Sequence, residues 1–439
     1  MPNLRRQAAR FAFSQDGAAT IFGVFLFAGS LMLAGLALDI SNAYRVRTQL
    51  QVAGDAAGHA ALVAREFNSA AVAKAKALEI ARAHLPQEKY GAILRDEDIV
   101  FGHWDSATKG FANDPTAFDA VLVNTARAHE RFNSVSTFLL RFAGVGALDV
   151  RRQTVFETYR PTCFREGFVA EERVDVTSNN TYDAGFCVHS NAYVEVNNNN
   201  HFADGTIVSM PDRRDLVMPT GGFDSNGGLE AALRDGSYKI RILQRIDDII
   251  DGVQAPGSAY YPTYITNDIP VSLHRNEKLD GDLLLPGHVY RIDCHSPSQK
   301  ATIHAGTLLK ELVIWTDCEL KFGQGVELND VIIVNDSTSS TSFNAASGVQ
   351  IGKDDSCATG GGAQLVTRGG IEIPAQLEMH GGQMLAAGDI SFTAEADGIQ
   401  GASIIAGGQI DGTAGSVMGF CNGAGMEDNF EAEYFRLAH

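Results

Sequence analysis

Residues 174–182 read VDVTSNNTY, and twenty positions later residues 194–202 read VEVNNNNHF. Val174, Val176 and Tyr182 fall on Val194, Val196 and Phe202, and just beyond them Gly185 and Val188 fall on Gly205 and Val208. The spacing returns downstream. Leu312 to Asp317 falls on Val331 to Asp336 at a shift of 19. Leu365-Val366, Gly369 and Ile371 fall on Met384-Leu385, Gly388 and Ile390 at 19, and these on Ile404-Ile405, Gly408 and Ile410 at 20. Short β-branched runs, glycine-marked bends and no helical pattern inside the repeat predict a parallel β-helix, in which each coil buries its inward side chains against the next. Asn179, Asn180 and Asn197 to Asn200 then fall at equivalent bends, where side-chain amides hydrogen-bond from coil to coil. The leucine and asparagine spacing of a leucine-rich repeat is missing. A β-sandwich is the alternative.

Glycine marks where this domain begins: 11 of 45 lie in residues 1–160 and the rest beyond. The solenoid is therefore expected over residues 161–425. A helical insertion at about 211–270 interrupts it, because Leu229 to Leu233 and Tyr238 to Val253 carry a helical pattern with Ile242, Ile246, Ile249 and Val253 on one face. Such an insertion is expected to cover a face or an end of the stack, where exposed strands invite edge pairing. Residues 426–439, charged and aromatic, are expected to cap the other end.

Upstream the character changes. Residues 18–38, AATIFGVFLFAGSLMLAGLAL, contain no charge, and at ~1.5 Å rise per residue they span a hydrocarbon core of ~30 Å as one helix. Arg5, Arg6 and Arg10 precede the run, and Asp39, Arg45 and Arg47 follow it, so the positive-inside bias favours residues 1–17 as a cytoplasmic leader. A cleaved signal peptide shares this layout, but its apolar core is shorter, at about 7 to 15 residues. Ala19/Gly23 and Ser30/Ala34 permit close helix packing in lipid. Residues 39–86 read as one alanine-rich stalk helix ended by Pro86. Residues 87–160 read as a small α+β module, with strands near Ile99 to Trp104, Phe118 to Arg127 and Leu148 to Glu157, and a helical spacing over Phe132 to Phe142.

The net charge of −18 argues against a nucleic-acid partner, which needs clustered Lys and Arg. Six cysteines, Cys163, Cys187, Cys294, Cys318, Cys357 and Cys421, all follow residue 160. An even count in an oxidising compartment implies one to three disulfides, and the 24-residue spacings of Cys163/Cys187 and Cys294/Cys318 suggest local pairs. No CxxC metal signature is present, so no metal and no cofactor is expected.

The arginine-rich leader, Gly17-Ala18-Ala19-Thr20-Ile21-Phe22, the apolar run, Leu38 to Tyr44 and Leu50 to Ala57 together resemble the TadE/TadG-like family of Flp (tight adherence) pilus-assembly proteins of bacteria. The likeness covers roughly residues 11–157, including Phe101-Gly102-His103-Trp104-Asp105 and the strand near Thr154. It implies a single-pass inner-membrane protein with its N-terminus in the cytoplasm and its body in the periplasm. Such a protein assembles or anchors a pilus through contacts with pseudopilins, platform or secretin components, or with itself, and performs no catalysis. Where prepilin-like relatives place a glutamate at the fifth position after their cleavage glycine, Phe22 stands here. The run Val331 to Ser340 approaches the Asp-x-Ser-x-Ser metal motif of von Willebrand A domains, but Thr338 occupies the first serine position.

The competing class is a membrane-tethered β-helix that binds or cleaves polysaccharide, which needs carboxylates projecting from neighbouring coils. Asp317 and Asp336, 19 apart with Asp330 near them, are the candidate set. Without an accompanying Lys/Arg cluster they are expected at solvated bends, so no residue is assigned a catalytic role. Asp280-Gly281-Asp282 has part of a calcium loop without its remaining ligands. Trp104, with His103 and Asp105 beside a turn, reads as core or rim.

Overall fold

A computed structural model describes residues 17–439 apart from 295, 297, 298, 413 and 414. The leader residues 1–16 lie outside the described residues. The chain divides into two compact units, residues 1–159 with 433–439, and residues 160–432.

In the first unit the apolar run does not end at residue 38. It is the first part of a 48-residue helix, Ala18–Arg65. The single stalk helix expected over 39–86 is two helices, because the chain breaks after Arg65. Asn68 donates its side-chain amide to the Ala64 carbonyl, Ser69 accepts from Val72 N–H, and a second helix runs Ala70–His84. Asn and Ser favour this role because their side chains satisfy the backbone groups a helix end leaves open. The two helices pack through alanines: Ala53, Ala57 and Ala61 on one, Ala73, Ala77 and Ala81 on the other, all buried in a common core.

The long helix lies on an antiparallel sheet ordered Gly110–Asn113, Ile99–Asp105, Ala120–Arg127, Val150–Tyr159 and Tyr434–Leu437. The edge strand comes from the far end of the chain. Residues 434–437 therefore belong to this sheet and do not cap the solenoid as expected. The helix expected over Phe132 to Phe142 is also absent: the segment holds the short strand Val135–Ser136 and runs into the 3-10 turn Leu140–Ala143.

The second unit is a parallel β-solenoid of about 12 turns, and each repeat alignment reappears as strand register. Val174 pairs with Val194, Tyr182 with Phe202, Val188 with Val208, Leu312 with Val331, Leu365 with Met384 and Met384 with Ile404. The inward column of one face continues from Met384 through Ile404, Phe168, Val188 and Val208 to Leu233. Ile404 thus stacks on Phe168, so the stack does not follow chain order.

The chain starts in the middle of the stack and winds to one end at Leu233–Asp235. It reappears at the opposite end with Asn267–His274 and winds back until Ser403–Ala406 meets Gly167–Ala170. The asparagines line one bend: Asn180 N–H donates to Asn200 Oδ1 at 2.9 Å, Asn200 N–H to Asn226 Oδ1 at 3.1 Å, and Ser416 N–H to Asn180 Oδ1 at 3.1 Å.

The connection between the two ends, residues 236–266, returns along the outside. Asn226–Gly227 and Leu233–Asp235 still form strands of the stack, with the short helix Leu229–Ala232 between them, so the insertion is shorter than the 211–270 expected. Its 3-10 turn Arg241–Arg245 and helix Ile246–Gly252 press Ile242, Ile246, Ile249, Ile250 and Val253 onto an outward stripe that includes Val169, Val334, Val366, Leu385 and Ile405. This cover explains why strands such as Gln383–Ala386 and Ser403–Ala406 are buried at every position. A strand covered on both sides has no need of a polar face. Residues 426–432 lie on the same side, where Gln383 holds the Phe430 backbone by donating to its carbonyl at 3.0 Å and accepting its N–H at 2.8 Å.

Candidate functional site

From Ile21 to Leu38 the first helix is exposed at nearly every position, with Phe22, Phe25, Met32 and Leu33 more than two-thirds accessible or close to it. The described part of the chain has one helix long and apolar enough to cross a membrane, and its apolar window is almost wholly unburied. Within it Ala28 is half-buried and Gly35 buried, and one turn beyond Gly35 Asp39 is buried too. Asp39 accepts N–H bonds from Phe138 at 2.5 Å, Leu139 at 3.0 Å and Leu140 at 2.7 Å. Burial opposes its charge, but the three amides together with Arg141 outweigh that and hold its carboxyl below the usual range.

The carboxylates singled out in the sequence separate. Asp317 and Asp336 directly follow adjacent strands, whose last pair is Thr316 with Asn335. Asp317 Oδ1 accepts from Cys294 N–H at 2.6 Å, and Asp336 is paired with Arg368. The basic group beside Asp336 is a single arginine: Arg368 comes from the next coil and also binds Asp247 of the external segment at 2.8 Å. Burial raises the Asp336 pKa, Arg368 opposes this, and Asp251, Asp317 and Asp247 add to it. The group ties the external segment to the stack. Asp330 sits at a different corner in left-handed backbone, φ 53°, and accepts from Gly361 N–H at 2.6 Å.

The other motifs are local structure. Asp280 Oδ1 accepts from Asp282 and Leu283 N–H in a turn, and Lys278 pairs with it. Asn335, within the von Willebrand-like run, is buried and donates to the carbonyls of Cys318 and Ser342. His103 is exposed between Asp119 at 2.6 Å and Asp114 at 3.3 Å, Asp105 caps the turn at Ala107 and Thr108, and Trp104 stacks on His439.

All six cysteines are paired, as Cys163–Cys187, Cys294–Cys318 and Cys357–Cys421. Cys294, Asp317 and Cys318 lie close enough to hold an ion by position, but both sulfurs are committed to the disulfide and are not thiolate ligands.

One cleft in the second unit escaped the sequence reading. It measures about 400 Å³ and is lined by Tyr260, Tyr261, Tyr264, Asp428, Phe430 and Arg160, among others. Tyr261 donates to Asp268 at 2.9 Å, and burial with that carboxylate pushes its pKa up to about 12. Burial raises the pKa of Asp428, and the like charges of Asp330 and Glu427 raise it further. Three tyrosines within residues 260–264 were the available signal.

A family model described as a domain of unknown function, DUF7867, matches residues 167–422, which is most of the solenoid unit. A second, described as putative Flp pilus-assembly TadE/G-like, matches residues 17–73, the long helix and the turn that ends it. No curated protein and no solved structure matches.

Proposed function

The chain belongs to the DUF7867 family through residues 167–422, and from that premise and its TadE/G-like N-terminus we propose that it is a membrane-anchored assembly component of a Flp pilus system. The helix from Ala18 onward holds it in the bacterial inner membrane, with residues 1–17 in the cytoplasm and both folded units in the periplasm. It acts without catalysis, through protein contacts with pseudopilin, platform or secretin subunits.

The observation that carries this reading is the coincidence of the family match with the exposed apolar helix: the matched residues 17–73 include the run that the rest of the fold leaves almost wholly uncovered. Three disulfides suit an oxidising compartment. The carboxylates expected on neighbouring coils are engaged by Arg368 and by backbone amides, which supports contact over chemistry on that face.

Crosslinking in native membranes followed by mass spectrometry tests the proposal. Recovery of pilus secretin, platform or pseudopilin peptides crosslinked to this chain is the expected result. Crosslinks confined to cell-wall glycan would favour the second reading, a tethered glycan-binding solenoid, whose supporting observation is the tyrosine and carboxylate cleft at Tyr260, Tyr261 and Asp428. Titration with peptidoglycan fragments, read by tyrosine fluorescence, separates the two.

A further inference from the structure

Residues 137–146 of the first unit turn back along the long helix. Leu139 sits on Gly35 so closely that a Cβ there would come within 2.5 Å of the leucine's own Cβ. Beyond this contact Leu140, Phe142 and Ala143 line an apolar cleft of about 420 Å³ with Ala28, Leu31 and Met32 of the helix. Asp39 marks the end of the apolar run. Met32 and Ala28 lie seven and eleven residues before it, roughly 10 and 16 Å along the axis at ~1.5 Å per residue. The tip of the loop therefore reaches the level of the middle of the apolar helix.

The loop has the composition of a lipid-facing segment. Phe138 is 58% exposed, Phe142 78% and Val145 41%, large apolar groups that water disfavours. Six of the eight backbone amides of residues 138–145 are taken within the unit. Asp39 takes the amides of Phe138, Leu139 and Leu140, Phe142 N–H donates to Leu139, Gly144 N–H to Arg141, and Val145 N–H to Leu140. Thr137 returns its hydroxyl to the Val145 carbonyl at 2.6 Å. Hydrocarbon offers an unsatisfied amide no partner, so these bonds lower the cost of placing a non-helical segment there. Arg141 stacks on Phe142 with its guanidinium 5.2 Å from the ring centroid, and its length lets the charge reach lipid phosphates while the stem stays in apolar surroundings.

We infer that residues 138–145 are a hydrophobic wedge that enters the bilayer leaflet nearer the folded body, with lipid acyl chains as its occupant. Continuity with the apolar helix selects lipid. The wedge rests on the reading of that helix as a membrane anchor. It fixes the first unit against the bilayer and sets the depth at which the helix leaves it.

The full chain, reconstituted with its disulfides intact into phosphatidylethanolamine and phosphatidylglycerol vesicles, tests this. A bimane label is placed in turn on Phe142→Cys, Val145→Cys, Met32→Cys and Ser106→Cys. Lipids brominated on their acyl chains are expected to quench the labels at 142 and 145 as they quench that at 32, by about twofold, and aqueous iodide to quench them several-fold less than the label at 106. Iodide access at 142 and 145 equal to that at 106, with 32 still quenched by lipid, overturns the wedge and leaves the anchor standing. Iodide access at 32 as well overturns both. Labels at 142 and 145 shielded from both quenchers also overturn the wedge, since protein would then cover the loop.

Discussion

Ile404 stacks in parallel register on Phe168, 236 positions before it, and with Ile410 on Val174 and Met418 on Tyr182 it joins the last coils of the chain to the first in a single stack. The seam is reinforced at each face. Arg173 bridges the stacked carboxylates of Asp411, Asp175 and Glu195, Glu166 accepts the amides of Cys421 and Gly423, and Ser403 donates to the Phe164 carbonyl. Coils far apart in sequence thus depend on one another. Phe168→Ala is expected to lower unfolding free energy by about 3–5 kcal/mol and Ile404→Ala by about 2–5 kcal/mol. A double-mutant cycle in urea should return a coupling on the order of 1 kcal/mol, and the solenoid should unfold in one transition. Separate transitions for residues 167–235 and 267–411 would contradict the seam.

The external segment predicts a second effect. Ile249 is fully buried between the segment and the outward stripe of Val366 and Leu385. Ile249→Ala should cost about 2–5 kcal/mol, and Ile249→Asp should release the segment so that a protease cleaves between residues 236 and 266 before the coils. Arg368→Ala leaves Asp336 and Asp247 without their partner and should produce a smaller shift in the same cleavage assay.

The disulfides differ in the loops they close. Cys357–Cys421 spans 64 residues and the other two 24 each, so on chain-entropy grounds its loss should cost about 4 kcal/mol against about 3 kcal/mol for either of the others. Urea midpoints of the three paired Cys→Ala variants give the order directly.

His103 offers a pH signature for the first unit. Hydrogen bonds from its ring to Asp119 and Asp114, with the charge of Asp119, raise its pKa above the ordinary value of about 6.5. A group whose folded pKa is raised contributes stability that is present below the unfolded value and is lost as pH rises through the folded one. The imidazole titration followed by NMR should therefore fall above 6.5 and drop toward it in Asp119→Asn. The decline in stability of this unit across that window should vanish in His103→Gln.

The solenoid was legible because its period survives in residue identity: Val174 on Val194 and Ile404 on Met384 are neighbours in space for the reason they align in sequence. Phe168 on Ile404 was not, since nothing in a 20-residue period says which coil follows the last. The external segment announced itself by Ile242, Ile246 and Ile249, although the strands at Asn226–Gly227 and Leu233–Asp235 are too short to show a period and were absorbed into it. The break at Asn68-Ser69 was hidden by alanines whose helix preference runs through both flanking helices. Asp317 and Asp336 were found as a pair, but Arg368 lies 32 residues past Asp336 across an irregular loop, beyond the reach of the repeat spacing. Residues 434–437 fell to the first unit because pairing with Val150–Tyr159 links strands far apart in the chain.

Under the proposed function, the chain serves Flp pilus assembly from the membrane. The most direct measurement deletes its gene and counts surface Flp pili by electron microscopy, then restores either the full chain or a form in which a cleavable signal peptide replaces residues 1–38. The proposed role predicts that pili disappear on deletion, return with the full chain and stay absent with the released form. Pili at normal number without the gene would contradict the assembly role, and full rescue by the released form would contradict the anchor.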